Sequence, residues 1–301
     1  MKVVVLMSSY NGEKYIREQI ESILNQKGDF EIDLVVRDDG SQDKTTEILD
    51  EYKKLGLLTW YSGTKLGPSK SFLSLIKENL DYDFFALSDQ DDFWLSNKIQ
   101  KAVHSLSNVR QPAVYFSNAE LVDEKLQSLG RNVYRETPKT DLYTLSCAGG
   151  ILGCTVVFNR SLAKYLQFYP TPNEVVMHDF YISLLCASLN GKIIFDSTST
   201  MKYRQHTSNV VGVSYGKIGT IIGRIKDIFY KEPVGIAKQS KEIIDIYKKD
   251  LPDDSVKWLT KIQNYDLNII NRIKLAFSSN TRYINKNMGL KLRLSILFGN
   301  R

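Results

Sequence analysis

The sequence lacks most of what a secreted or membrane-spanning protein carries. It has three cysteines in 301 residues, Cys147, Cys154 and Cys186, and their spacing fits neither a zinc site nor a redox pair. They read as reduced, buried thiols of an intracellular protein. No uncharged stretch approaches the roughly 18–20 residues of a membrane span. The opening MKVVVLMSSYNG is apolar for only about seven residues, too few for a signal-peptide core. Internal repeats and low-complexity tracts are also lacking. A cytoplasmic protein is expected, with any membrane contact peripheral. Acidic residues stop at Asp266. From Lys217 onward the chain has 17 basic and 8 acidic residues, against 23 and 26 before it.

What is present is ordinary for a globular protein: 43% hydrophobic and 25% charged residues. The length suits one large domain, or one domain with a substantial appendage. KVVVLMSSY reads as a strand covered on both faces. Residues 13–26 follow as a helix with Ile16, Ile20, Ile23 and Leu24 on one face. IDLVVRDDG, LTWYSG and DFFALSD read as further strands, with helices over DKTTEILDEYKK and Ser69–Asn79 between them. That rhythm predicts a mainly parallel sheet flanked by helices. Beyond residue 112 the pattern is mixed. PAVYFSNAELVD, GGILGCTVVFN and KIIFDSTSTMKYRQH read as strands, and HDFYISLLCASLNG as a helix. Helical periodicity dominates after Lys217, so a boundary is placed near 213–217, giving 1–215 as the sheet-bearing domain and 216–301 as a basic helical region.

In a parallel sheet ligands bind at the carboxyl ends of the strands. Tyr10, Asp38, Asp39, Asp89 and Asp91 all fall there. Asp89-Gln90-Asp91 is either a loop of solvated acids leading to the helix that starts near Leu95, or a hard-cation site for Mg²⁺ or Mn²⁺. Asp38-Asp39-Gly40-Ser41 is a turn, or a carboxylate at the edge of a nucleotide-binding crevice. Gly149 and Gly150 allow either close backbone approach to a ligand or simple packing. SSYNGEKY lacks the Gly/Arg/Lys-rich phosphate loop expected of a nucleotidyltransferase.

SSYN at 8–11, VVRDDGS at 35–41, SDQDDFW at 88–94, the Asp after His178 and YRQHTSN at 203–209 together resemble the family 2 inverting glycosyltransferases of GT-A fold. The bacterial rhamnosyltransferase-like subgroup is the nearest, over about residues 2–210. The resemblance implies a Rossmann-like nucleotide-diphospho-sugar transferase fold with a C-terminal helical region. It implies a nucleotide held by Ser8, Tyr10 and Asp39, with Tyr10 stacking on the base and Asp38 holding the turn. Asp91 is implied as a metal ligand, and Asp89 as serving ribose or metal. His206 completes the metal or diphosphate site in part of the family, and Arg204 with Gln205 reaches phosphate. Asp179 is implied as the catalytic base, although an N-cap for the helix after it serves the same residue type. His178 and Lys65 depart from the family's usual residues. Asp92 orients an acceptor or caps the next helix, and Trp94 is core.

The activity so implied is metal-dependent transfer of a hexose, L-rhamnose from dTDP-rhamnose in the nearest subgroup, to a glycan or lipid-linked acceptor in bacterial surface polysaccharide synthesis. A UDP-hexose or UDP-N-acetylhexosamine transferase is the neighbouring reading. A non-catalytic sugar-nucleotide-binding subunit is the rival from another class. The basic tail suggests contact with anionic lipid, packing on the catalytic domain or an oligomer interface. Nucleic acid is not expected, because a carboxylate-lined crevice repels phosphate.

Overall fold

The computed structural model describes residues 1–149, 151–206, 235–283 and 286–298. The boundary expected near 213–217, the basic stretch 216–231, Gly150 and residues 207–209 of YRQHTSN lie outside the described residues. The chain divides into two compact units. The first comprises Met1–Thr137, Leu152–Phe168 and Lys192–Asn209, the second Pro138–Ile151, Tyr169–Gly191 and Val210–Arg301.

The first unit contains the sheet. In β1 (Lys2–Ser9), Val3 through Met7 are all fully buried, as a strand covered on both faces requires. It pairs in parallel with β2 (Glu31–Asp38) and β4 (Phe84–Ser88), and β2 pairs in parallel with β3 (Thr59–Ser62). The connections are α1 (Ile16–Leu24), α2 (Thr45–Lys54) and α3 (Pro68–Glu78). Ile16, Ile20 and Ile23 of α1 are fully buried, matching the apolar face read from their spacing. Pro68 opens α3 at the position where its missing N–H removes no helical bond.

The rest of the sheet is mixed. It adds β5 (Phe93–Trp94), β6 (Ala113–Val122), β7 (Ser128–Asn132), β8 (Val157–Asn159) and β9 (Lys192–Arg204), with helices α4 (Lys98–Leu106) and α6 (Arg160–Phe168). The strand order is β3-β2-β1-β4-β8-β6-β9-β5, with β7 on β6. β8 runs antiparallel to β4 and β6, while β9 runs parallel to β6 and antiparallel to β5. The pairings Phe93↔Lys202 and Val122↔Arg204 carry the end of β9 up beside the SDQDDFW turn.

One local expectation is corrected. GGILGCTVVFN is not one strand: its start follows α5 (Leu142–Ala148), its middle is a 3-10 turn at Gly153–Thr155, and only β8 pairs. The cause lies upstream, where Asp141 caps α5 by accepting from Thr144 N at 2.9 Å and Thr144 Oγ1 at 2.8 Å. Phe93–Trp94 forms a strand too short for periodicity to reveal, and Trp94 is core as expected.

The second unit is helical among the described residues. Besides α5 it has α7 (His178–Ser188), α8 (Ile236–Tyr247), α9 (Asp253–Gln263), α10 (Ile269–Ala276) and α11 (Lys286–Leu297). Its core gathers Cys147, Ile236, Trp258, Ile262, Tyr265, Leu275 and Ile296. Trp258 Nε1 donates to Ser146 Oγ at 2.8 Å, so the one polar atom of the indole is satisfied inside. All three cysteines are buried and form no disulfide. Among the described residues no helix is long and apolar enough to cross a membrane.

Candidate active site

Parallel pairing sets the ends of β2, β1 and β4 side by side, with Ser9 opposite Asp38 and Met7 opposite Ser88. Residues distant in sequence therefore share one edge of the first unit, where strand ends leave backbone groups open to a ligand. Asp38 holds the turn. Its carboxylate accepts from Ser9 Oγ (2.9 Å), Ser41 Oγ (2.6 Å), Ser41 N (2.8 Å) and Gly40 N (3.1 Å).

Asp39 is buried and heavily engaged. It accepts from Arg37 Nη1 at 2.5 Å, from Leu66 N at 2.9 and 3.0 Å, and from Gly67 N at 2.7 Å. Gly67 has φ 76°, a left-handed backbone that glycine adopts without strain. Asp39 thus fastens the Lys65–Gly67 loop to the end of β2. Lys65, the departure from the family's usual residue, donates to Tyr10 Oη at 2.8 Å and lies 4.2 Å from the Tyr10 ring centroid. Tyr10 is exposed, and Ser8 Oγ donates to Ser71 Oγ at 2.7 Å.

Gln90, the middle residue of the D-x-D, has a role that the sequence did not suggest. Its amide brackets the Tyr10 backbone, Oε1 accepting from Tyr10 N at 2.9 Å and Nε2 donating to Tyr10 O at 3.0 Å. A Cβ at Gly12 would lie 2.2 Å from Gln90 Oε1, so a larger residue there would displace this amide. The end of β4 is set by a shorter chain, Gln19 Nε2 to Ser88 Oγ (2.8 Å) and Ser88 Oγ to Asp89 O (2.9 Å).

The other wall comes from the end of β9. His206 Nε2 lies 2.9 Å from Asp91 Oδ2, and the His206 ring stacks on Tyr15 with centroids 4.9 Å apart. The Arg204 guanidinium expected at the donor phosphates is engaged elsewhere. Arg204 is buried; its Nε donates to Asp91 O (2.7 Å), Nη1 to Glu124 O (2.5 Å) and Nη2 to Glu18, while its Cζ lies 4.6 Å from the Tyr15 ring centroid. Its Nε bond holds the Asp91 main chain. Tyr15 and Glu18 complete this brace, and nothing in their sequence context singles them out from other residues near a helix start.

Asp92 neither faces an acceptor nor caps α4. It is fully buried, and its Oδ1 accepts from Arg204 N at 3.0 Å, tying the SDQDDFW turn to β9. Burial, then the charges of Asp91 and Asp89, pushes it well above the usual carboxylate range. Beneath lies Lys98, fully buried, 4.7 Å from the Trp94 ring centroid, with its pKa pushed down to about 8 by burial. Ligand atoms of Asp89, Asp92 and Cys154 lie within 4.8 Å of one another. Burial, then Asp92 and Asp89, pushes the Cys154 thiol up.

Asp91 Oδ2 and His206 Nε2 are at hydrogen-bonding distance, and the same two atoms could instead share a divalent cation. Ligands on adjacent corners of an octahedron of about 2.1 Å radius lie about 3 Å apart, and Asp91 Oδ2 and His206 Nε2 are 2.9 Å apart. Carboxylate oxygens with one imidazole suit Mn²⁺, and the carboxylates alone suit Mg²⁺.

Asp179 belongs to the second unit, in the first turn of α7. The N-cap position is Met177, not Asp179, whose Oδ1 accepts from Phe180 N at 2.7 Å. Asp179 is partly exposed, whereas His178 is buried and burial pushes it down to about 3. Its neighbour is therefore a neutral imidazole.

Comparison with known proteins agrees with this architecture. Residues 4–166 match the family model described as Glycosyl transferase family 2. The dTDP-rhamnosyl transferase RfbG of Shigella flexneri is 31% identical over 255 residues, 76% of this chain and 82% of that protein. In fold, the chain is similar to S. aureus TarS 1-349 in complex with UDP-GlcNAc, with a TM-score of 0.58, 18% identity, and 100% of this chain and 89% of that one covered. The mannosyltransferase PcManGT from Pyrobaculum calidifontis in complex with GDP-Man and Mn²⁺ gives a TM-score of 0.51 at 14% identity, covering 99% and 88%. The sheet with its acidic edge is thus the GT-A fold, and the chain belongs to glycosyl transferase family 2 and is a glycosyltransferase.

Proposed function

We propose that the protein transfers a hexose with inversion from a nucleoside diphosphate sugar to a glycan or lipid-linked acceptor, L-rhamnose from dTDP-rhamnose being the donor. The observation that carries the reading is the Asp91–His206 pair, 2.9 Å apart at the edge formed by the strand ends. The likeness to the Shigella flexneri dTDP-rhamnosyl transferase supports the choice of sugar.

Asp89, Asp91 and His206 would hold the divalent cation, Mn²⁺ or Mg²⁺. When bound, that ion neutralises charge developing on the diphosphate leaving group. Tyr10 presents its exposed ring to the base, Ser8 lies at the nucleotide end of β1, and Asp39 holds the Leu66–Gly67 backbone in place. Arg204 acts by fixing the Asp91 main chain. Asp179 takes the proton from the acceptor hydroxyl as its oxygen attacks the anomeric carbon. A single displacement needs one such base, unlike the paired carboxylates of glycosidases.

A thermal-shift series with Mn²⁺ and dTDP-, UDP- and GDP-sugars tests the donor. dTDP-rhamnose is expected to give the largest stabilisation, and a larger shift with a UDP-hexose or UDP-N-acetylhexosamine would replace the sugar. Asp179→Asn should keep the donor-induced shift while losing transfer. Full transfer by that variant would remove Asp179 as the base.

A further inference from the structure

The second unit includes a helix that is apolar on both its buried and its outward side. The buried side of α10 supplies Leu275 and Ala276 to the core. Its outward side is also apolar: Ile269, Ile270, Ile273 and Phe277 at the adjoining C-cap are all exposed, Ile270 at 60%. The neighbouring helix α11 packs against α10 and adds exposed Leu294 and, just past its end, exposed Phe298, the latter at 72%. Single exposed apolar side chains need no explanation, but two adjacent helices presenting them together mark an interaction surface.

Charge identifies what it meets. Arg272 and Lys274 lie on α10 itself, and Arg293 follows on α11. Lys261 on α9 has its pKa lowered, by burial first and also by Lys274, which places the two ammonium groups near each other. No acidic residue occurs between 267 and 301. A second copy docked face to face would set these like charges against one another. An anionic bilayer complements both features: apolar side chains enter the acyl boundary and the cations meet lipid phosphates. We propose that α10 and the end of α11 form a docking face for an anionic lipid surface. This goes beyond the transfer reaction and does not depend on the donor's identity.

The test is co-sedimentation of the full chain with vesicles of equimolar phosphatidylglycerol and phosphatidylcholine, against phosphatidylcholine alone. Binding should favour the anionic vesicles and weaken with salt. The triple variant Ile270→Ser, Ile273→Ser and Phe277→Ser should lower partitioning about tenfold, through lost apolar insertion. Lys274→Gln should lower it about fivefold, as one cation at an anionic surface implies. Unchanged melting and unchanged donor-induced shifts in both variants would show that folding and the donor site are intact. Equal sedimentation of parent and triple variant, or equal binding to neutral vesicles, overturns the proposal. So does a parent dimer in light scattering that the triple variant converts to monomer, since a second copy would then cover the face.

Discussion

Lys98 provides a quantitative test of the acidic edge, because a fully buried ammonium beneath it should weaken the fold. Its pKa falls from 10.5 to about 8, with burial the first cause and partial opposition from Cys154 and Asp92. Between these values the unfolded chain holds a proton that the folded one has released, so stability rises with pH across this window. Below pH 8 the full penalty is present, about 3 kcal/mol at roughly 1.4 kcal/mol per pH unit. Lys98→Met keeps the volume and removes the charge. Losing the ammonium near Trp94 offsets about 1 kcal/mol. The variant should therefore gain about 2 kcal/mol at pH 7, which raises the melting temperature by roughly 4–8 °C for a protein of this size. By pH 9.5 about 2 kcal/mol of the penalty has gone from the parent, whose Lys98 is then neutral and has no cation–π contact to lose, so the variant's advantage should shrink to about 1 kcal/mol. Calorimetry of both at the two pH values makes the comparison, and titrations common to both cancel in the difference. A variant less stable at pH 7, or a gain of equal size at both pH values, would refute the reasoning.

Three further outcomes follow from the site. Arg204→Met should lower transfer and Mn²⁺-dependent donor affinity roughly 10–100-fold, as loss of an outer-shell support does; activity within about twofold of the parent would show that the brace on Asp91 is dispensable. Asp39→Ala strips the partner from a buried Arg37, both side chains being 6% exposed or less, and should destabilise by about 3–5 kcal/mol; urea denaturation with an unchanged midpoint would contradict this. Asp91→Asn should weaken Mn²⁺-dependent binding of dTDP by more than about 100-fold in calorimetry, and unchanged affinity would remove Asp91 from the cation site.

The parallel half of the sheet was legible because each βα unit there is written in local periodicity. Val3–Met7 and the Ile16, Ile20, Ile23 face read directly as a two-sided strand and a one-sided helix. The D-x-D was equally legible, since its place after an apolar run marks a strand end. What local pattern cannot carry is a partner far along the chain. Gln90 meets Tyr10 across 80 positions, Arg204 reaches the Asp91 carbonyl across 113, and Asp92 accepts from Arg204 N across 112. Neither Gln90 nor Asp92 shows in its neighbours which backbone it will bond.

By itself the amino-acid sequence determined the class of fold, the acidic strand ends and the basic character of the last segment, because composition and short-range spacing encode them. Only the tertiary structure decided what each polar group does there. Parallel pairing and the long β9 bring Asp91 and His206 to 2.9 Å, engage Arg204 in a buried brace and place Lys98 under the carboxylates. A buried charge must be met by whatever the fold sets beside it, and that neighbour is chosen by sheet order, not by sequence distance.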